Sequence, residues 1–143
     1  MTEVSFHFNV PDRLAYACRL LRKANRMGAR VVVVAPAATL AELDRALWTF
    51  DALEFVPHLR LTPGVAATPQ LAETPIMLVE SVAEAPHHDV LLNLDSVPPT
   101  GFETFARVVE IVSADAQERA SARKRWKHYA ERGYAIERHE VGD

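Results

Sequence analysis

The sequence predicts an α/β fold, a three-layer sandwich in which a mostly parallel central sheet is flanked by helices. Segments rich in β-branched residues alternate with amphipathic segments along the chain, which is typical of βαβ units. Residues 30–36 contain four consecutive valines, a pattern typical of a parallel strand buried on both faces. A length of 143 residues suffices for one hydrophobic core, so we expect a single domain over residues 1–143.

The first elements form a strand, a helix and a second strand. Residues 4–10 alternate apolar and polar side chains and predict the first strand. The helix after it is expected to begin at Asp12 as N-cap and to end at Gly28, with Cys18 on its buried stripe. Together with the strand at 30–36, these elements predict a right-handed βαβ unit.

The middle of the chain continues the alternation. Residues 39–50 predict a helix that is capped by Thr39 and has Glu42 in the capping-box position. Residues 59–73 contain turn-forming proline and glycine and little periodicity, so they predict a surface loop. Two further strands are predicted at 75–80 and 89–95.

The last third predicts a short helix, a strand, a long helix and a closing segment. The short helix covers residues 102–106 and the strand residues 107–112. The long helix runs from 113 to 133, and residues 134–141 are either an edge strand or a tail.

Several kinds of site are excluded or disfavoured by the sequence. The turn at residues 9–12 lacks the glycines of a dinucleotide-binding fold, so we expect a Rossmann-like topology without a nucleotide site or cofactor. A single cysteine excludes an internal disulfide and a cysteine-cluster metal site. No leader pattern and no apolar stretch of about 20 residues is present, so we expect a cytoplasmic protein that does not enter a membrane.

The long final helix has an unusual charge. Residues 117–132 contain six lysines and arginines but two glutamates, whereas the whole chain has a net charge of −3. Arg119, Arg123 and Lys127 are spaced four residues apart and lie beside Trp126 on a helix. Such an edge suits an anionic group next to an apolar one. The alternative is that Trp126 belongs to the core and the charges only solvate the helix.

A second aromatic group lies earlier in the chain. Trp48 falls outside the apolar stripe of its predicted helix, and Phe55 follows shortly after it. These rings either cover each other in a small satellite cluster or form an exposed patch for a protein partner.

The sequence resembles the chi subunit family of bacterial DNA polymerase III over nearly its whole length. The most specific part is a Leu-Trp pair followed closely by Phe-Val-Pro-His. The resemblance is carried by residues 46–50, 55–58, 89–94 and 123–129, with Gly133 and Tyr134.

This resemblance implies a non-catalytic accessory subunit at the edge of the clamp loader, with two protein partners. One is the acidic C-terminal tail of single-stranded DNA-binding protein, which ends in Pro-Phe. The matching tail-binding residues are Arg119, Arg123, Trp126 and Lys127, with Gly133 leaving room beside the ring.

The other implied partner is the psi subunit, and some family members use the same patch for a repair helicase. The matching residues are Trp48, Phe55, Val56 and Pro57. Contact with nucleic acid would be indirect.

Two other functions remain open at this level. A small α/β hydrolase or transferase would use His87, His88 and Asp89, which could also serve as metal ligands, although no nucleophile elbow or further ligand accompanies them. Alternatively, the basic helix would bind single-stranded DNA directly, for which an acidic chain is a poor platform.

Overall fold

The computed structural model describes residues 2–50, 54–61, 63 and 73–141, and these residues form one seven-stranded sheet. In chain order the strands are β1 (Glu3–Val10), β2 (Val31–Val34), β3 (His58–Arg60), β4 (Ile76–Val79), β5 (Val90–Asn93), β6 (Arg107–Ser113) and β7 (Ile136–Glu140). Their order across the sheet is β3-β4-β2-β5-β6-β1-β7. Every pairing between these neighbours is parallel, so the predicted mostly parallel sheet is parallel throughout the described residues.

Helices cover both faces of the sheet. Helices α1 (Arg13–Arg26) and α2 (Ala37–Thr49) pack on one face, and α3 (Ala116–Glu131) packs on the other. All four valines of β2 are buried because successive side chains point to opposite faces and both faces are covered. The predicted three-layer α/β sandwich is therefore confirmed.

The first helix follows its predicted boundaries closely. The Asp12 side chain accepts a hydrogen bond from the backbone N–H of Ala15 at 3.1 Å. Gly28 follows the helix with a φ of 73°, a conformation that favours glycine. Cys18 is buried on the inner stripe, where burial raises the pKa of its thiol to about 11. The thiol is thus a neutral packing group at neutral pH.

Strand β1, helix α1 and strand β2 form the predicted βαβ connection within one parallel sheet, and this connection spans two further strands. Strands β1 and β2 are not neighbours, because β6 and β5 lie between them. Helix α1 crosses that part of the sheet and covers the side chains of Leu92 and Val109 on it. Local sequence does not reveal this arrangement, since the intervening strands come from the second half of the chain.

Two local predictions in the middle of the chain are wrong. Helix α2 begins at Ala37 after Pro36, which has no side-chain cap, so Thr39 lies inside the helix. Residues 58–60 form the edge strand β3, although the predicted loop began at 59. This strand is three residues long and half-exposed, so it lacks the apolar pattern of a central strand. Residues 62 and 64–72 of the predicted loop lie outside the described residues.

The end of the chain forms an edge strand. Gly133 has a φ of 81° and donates its N–H to the Ala130 carbonyl at 3.1 Å, while Tyr134 donates to Tyr129 at 3.2 Å. These bonds end α3 and turn the chain back to the sheet. Strand β7 then pairs with β1 alone among the described strands.

A buried polar network joins α3 to the sheet. Glu110 on β6 is fully buried, and Arg125 on α3 donates from Nε to its carboxylate at 2.9 Å. The same carboxylate accepts from Asn93 at 2.9 Å and from the Tyr129 hydroxyl at 2.7 Å. Arg125 also donates to the Ser121 hydroxyl at 2.8 Å. The helix is thus held by directed bonds as well as by apolar packing.

Burial and hydrogen bonding act in opposite directions on the protonation of Glu110. Burial raises the pKa of Glu110, and the Arg125 guanidinium with the donors Asn93 and Tyr129 acts in the opposite direction. Burial and the adjacent Glu110 carboxylate raise the pKa of Tyr129, so its hydroxyl remains a hydrogen-bond donor. The geometry fits an ionised carboxylate whose charge is compensated by one guanidinium.

We expect Arg125→Met to lower the free energy of unfolding by about 3–5 kcal/mol, because it leaves the Glu110 carboxylate buried without its counter-charge. Urea denaturation followed by circular dichroism measures this. Arg123→Met on the exposed side of the same helix is the control and should change stability by less than about 0.5 kcal/mol. Equal effects of the two substitutions would contradict the structural role of Arg125.

Candidate functional site

The orientation of α3 determines which of its side chains reach solvent. Its buried positions are Ala122, Arg125 and Tyr129, spaced three and four residues apart. Arg119 and Arg123 are exposed, and Trp126 is partly buried at the border between the two sides. The predicted cationic edge therefore lies on the flank of the helix, next to the sheet.

A groove of about 290 Å³ lies along this flank. Three of the predicted tail-binding residues line it, namely Arg119, Arg123 and Trp126. The other lining residues are Phe8, Ala122 and Arg138. The groove thus combines aromatic rings with guanidinium groups.

Trp126 is an aromatic wall of the groove and also part of the core. Its ring lies 5.0 Å from the ring of Phe6 and 6.0 Å from that of Phe8. Phe6 is fully buried, and Trp126 packs against the apolar cluster under α3 while lining the groove. Trp126 therefore packs against the core, as one interpretation of the sequence holds, and part of its ring also lines the groove.

The two helix arginines in the groove have unused hydrogen-bond donors. Within the described residues, no ion pair or side-chain hydrogen bond engages Arg119 or Arg123. A guanidinium offers up to five N–H donors in a planar fork that matches a carboxylate. By contrast, the Arg125 side chain is buried and bonded to Glu110. The positive charge that α3 presents to solvent is therefore smaller than its composition suggests.

Two predicted members of this site lie outside the groove lining. The Lys127 side chain is 75% exposed, and its Nζ lies 3.8 Å from the Glu131 carboxylate one turn later. Gly133 is exposed after the end of α3, and a side chain there would meet no atom within 4 Å. The positive φ of Gly133 gives it a structural role at the helix end.

Phe8 and Arg138 line the groove but were not predicted from the sequence as members of the site. They come from β1 and β7, at opposite ends of the chain, and the Arg138 guanidinium lies 4.6 Å from the centre of the Phe8 ring. Alternation along β7 places Arg138 on the α3 face, but only the pairing of β7 with β1 shows that it reaches the groove.

The second predicted surface is also present. Trp48 is 61% exposed and Phe55 is 51% exposed, and their rings lie 5.0 Å apart. His58 lies 5.3 Å from the Trp48 ring and is fixed by contacts with Asp44 at 2.9 Å and the Val56 carbonyl at 2.7 Å. The two rings cover each other partly and still leave an apolar patch in contact with solvent.

The remaining residues predicted for this surface differ in exposure. Val56 is 1% exposed, so it supports the patch from the core and has no surface for direct contact with a partner. Pro57 is half-buried at its edge. The patch is therefore smaller than the set of residues expected from the sequence.

The sequence of the chain matches the model of a known family over most of its length. The family described as "DNA polymerase III chi subunit, HolC" matches residues 1–137. The chain belongs to the chi subunit family of DNA polymerase III. The resemblance recognised in the sequence is confirmed, and the chain is an accessory subunit of that polymerase by family.

Two chi relatives extend over most of the chain. The DNA polymerase III subunit chi of Pseudomonas aeruginosa is 34% identical over 147 residues, covering 99% of this chain and 98% of the relative. That of Haemophilus influenzae is 29% identical over 127 residues, covering 88% and 85% respectively.

A solved structure shares the fold of this chi-family chain. It is a chain from the complex of S. cerevisiae Dbp5 with Nup159, Gle1, IP6 and ADP, with a TM-score of 0.59 and 11% identity. The match covers 99% of the present chain and 42% of the other. At this identity the likeness concerns the arrangement of helices and strands alone.

The His87, His88 and Asp89 segment has three separate environments in this chi-family chain. His87 is buried, and burial, together with the nearby Arg30 charge, lowers its pKa. The His88 ring lies 4.9 Å from that of Phe105, and Asp89 forms an exposed ion pair with Arg30 at 3.2 Å. The described part of the chain contains no group of three His, Cys, Asp or Glu residues placed to hold a metal ion.

No helix in the described ranges has both the length and the apolar character needed to cross a bilayer.

We expect Trp126→Ala and Trp48→Ala to differ in their effect on stability. Trp126 packs against Phe6 and Phe8, so its loss should cost about 2–3 kcal/mol, somewhat less than for a fully buried tryptophan. Trp48 is mostly exposed, and its loss should cost less than about 1 kcal/mol. Thermal or urea unfolding measures both, and a reversed order would contradict the burial of these rings.

Proposed function

We propose that this chi-family chain is a non-catalytic adaptor that binds the acidic C-terminal tail of single-stranded DNA-binding protein and links it, through psi, to the clamp loader. The chain acts as a single chi-type domain over residues 1–143, in the cytoplasm, and contacts nucleic acid only through its partners. The observation that carries the proposal is the groove in which Arg119 and Arg123 lie beside Trp126, with no side-chain partner for either guanidinium among the described residues.

The chemistry of the groove fits a peptide that is acidic and ends in an aromatic residue. Carboxylates of the tail pair with Arg119 and Arg123, while its terminal phenylalanine packs between Phe8 and Trp126. Lys127 is exposed on the same helix and adds long-range attraction. Gly133 acts indirectly, by ending α3.

The expected affinity is modest because the groove is open and its charges are exposed. One charged contact and one aromatic contact of this kind support binding in the micromolar range, on the order of −8 kcal/mol. Electrostatic attraction is screened by salt, so affinity should fall as ionic strength rises. Weak, salt-sensitive binding suits an adaptor that must release its partner.

The Trp48 and Phe55 patch is proposed as the surface for psi or for a competing repair helicase. Tryptophan in an exposed cluster is typical of a residue that contributes strongly to a protein interface. The patch lies at the β3 edge of the sheet, whereas the groove lies at the β7 edge. This separation allows both partners to bind together.

We expect Arg123→Ala to weaken binding of a synthetic acidic peptide ending in Pro-Phe by about five- to twentyfold, because one charge-assisted contact is lost. Fluorescence anisotropy at constant salt measures the dissociation constant. Lys124→Ala removes the same charge from the neighbouring position, which does not line the groove, and should have a much smaller effect.

An unchanged dissociation constant for Arg123→Ala would refute the tail-binding role. The same assay with a single-stranded oligonucleotide tests direct DNA binding by α3. Oligonucleotide binding as tight as peptide binding would favour that rival function instead.

We expect Trp48→Ala to abolish co-purification with psi or a helicase while peptide binding at the groove stays unchanged. The physical reason is the loss of a large exposed apolar contact far from the groove. Met27→Ala is a suitable control, since Met27 is 73% exposed on α1's C-terminal side. Loss of both binding activities in Trp48→Ala would indicate a folding defect, and retention of both would contradict the assignment of this surface.

A further inference from the structure

We propose that Arg138 is a third cation of the groove and that Glu140 is an internal carboxylate that competes with the acidic ligand for it. This inference rests on the proposed function of the groove as an acidic-peptide site. It adds a binding residue from the edge strand β7 and a competing charge next to it.

Arg138 approaches the groove from a different element than Arg119 and Arg123. It lines the groove from β7, while the other two arginines line it from α3. Its guanidinium lies over the Phe8 ring at 4.6 Å, so the aromatic ring orients the cation beside the groove. A peptide in the groove therefore meets cations from both the helix and the sheet edge.

The Arg138 guanidinium already contacts one carboxylate. Its Nε and Nη2 donate to Oε1 of Glu140 at 3.1 and 2.7 Å. The other carboxylate oxygen of Glu140 accepts from the Asn9 amide at 2.5 Å. Glu140 thus takes the position at Arg138 that a carboxylate of an acidic ligand would take.

Asn9 belongs to an irregularity at the end of β1. Its φ of 59° is unusual for a residue with a side chain, and asparagine tolerates this conformation better than most. The register between β1 and β6 shifts between His7 and Val10, which brackets Asn9. This local bend in β1 accompanies the contact of Asn9 with Glu140.

Because Arg138 and Glu140 are exposed, replacing Glu140 by another carboxylate at Arg138 costs little free energy. The Arg138 side chain is 60% exposed and that of Glu140 is 48% exposed. Exposed ion pairs contribute little to stability because water solvates both groups well. A ligand carboxylate can therefore replace Glu140, and while Glu140 is ionised its charge opposes the approach of an acidic peptide.

The exposed pair Arg107 and Glu3 provides a matched control. It is also an exposed arginine–glutamate contact, at 3.2 Å, although it joins two strands whereas Arg138 and Glu140 both lie on β7. Glu3 precedes Phe8 by five residues on β1, so it lies about 16 Å from the groove along the strand. Substitutions there change the net charge equally without touching the groove.

The test is a double-mutant cycle with the acidic Pro-Phe peptide, measured by anisotropy at low and moderate salt. Arg138→Ala should weaken binding about three- to fivefold, and Glu140→Gln should tighten it about two- to threefold. In the double variant Arg138→Ala/Glu140→Gln, most of the gain from Glu140→Gln should disappear, because the cation that Glu140 occupies is absent. Arg107→Ala and Glu3→Gln should each leave binding nearly unchanged.

Folding is monitored by thermal unfolding of each variant. If Arg138→Ala lowers the unfolding midpoint, Arg138→Gln replaces it in the binding assay. Glutamine keeps part of the aliphatic stem over Phe8 but lacks the charge, so it should weaken binding similarly.

Three results would overturn the inference. Unchanged binding in Arg138→Ala or Arg138→Gln would show that Arg138 is not part of the site. Weaker binding in Glu140→Gln would exclude competition between Glu140 and the peptide. Full additivity in the double variant would show that the two residues act separately. If Arg123→Ala weakens binding while the Arg138 variants do not, this inference fails alone. If Arg123→Ala has no effect either, the proposed function of the groove fails with it.

Discussion

The contact between Glu110 and Arg125 is the constraint on which the position of the final helix depends. Both side chains are almost completely buried, and the carboxylate receives further donors from Asn93 and Tyr129. Desolvation offsets much of the attraction in such a pair, so its net contribution to stability is small. The pair instead selects one rotation of α3 about its own axis. Any rotation of α3 that separated the two groups would leave an uncompensated charge in the core, which costs several kcal/mol.

This rotation of α3 determines where the groove residues lie. With Arg125 facing inward, Arg119 and Arg123 project from the flank and Trp126 packs against the end of β1. The same rotation directs Ala122 toward the sheet, where a small side chain leaves the helix close to the strand. The cationic wall of the groove is therefore a consequence of the buried ion pair beneath it, although no groove residue belongs to that pair.

The two candidate surfaces lie at opposite edges of the same sheet. Trp48, Phe55 and His58 are beside β3, and the groove is beside β1 and β7. Six steps between strands separate β3 from β7, which corresponds to about 29 Å at the usual strand spacing. A rigid parallel sheet between two small surfaces is well suited to hold two partners at a fixed separation.

The sequence by itself determined the α/β class, most of the elements and the cationic edge of the last helix, because these features depend on residue periodicity and composition within short segments. It also identified Trp48 as lying outside its helix's apolar stripe. Only the tertiary structure decided that Arg125 is a core residue while Arg123 has no side-chain partner in the part of the chain that the structure describes. The difference depends on a carboxylate that lies fifteen residues before Arg125 on a separate strand. Likewise, Phe8 and Arg138 are in contact because the last strand pairs with the first. That pairing is stabilised by contacts between the two ends of the chain, and a pattern within a short segment cannot reveal such contacts.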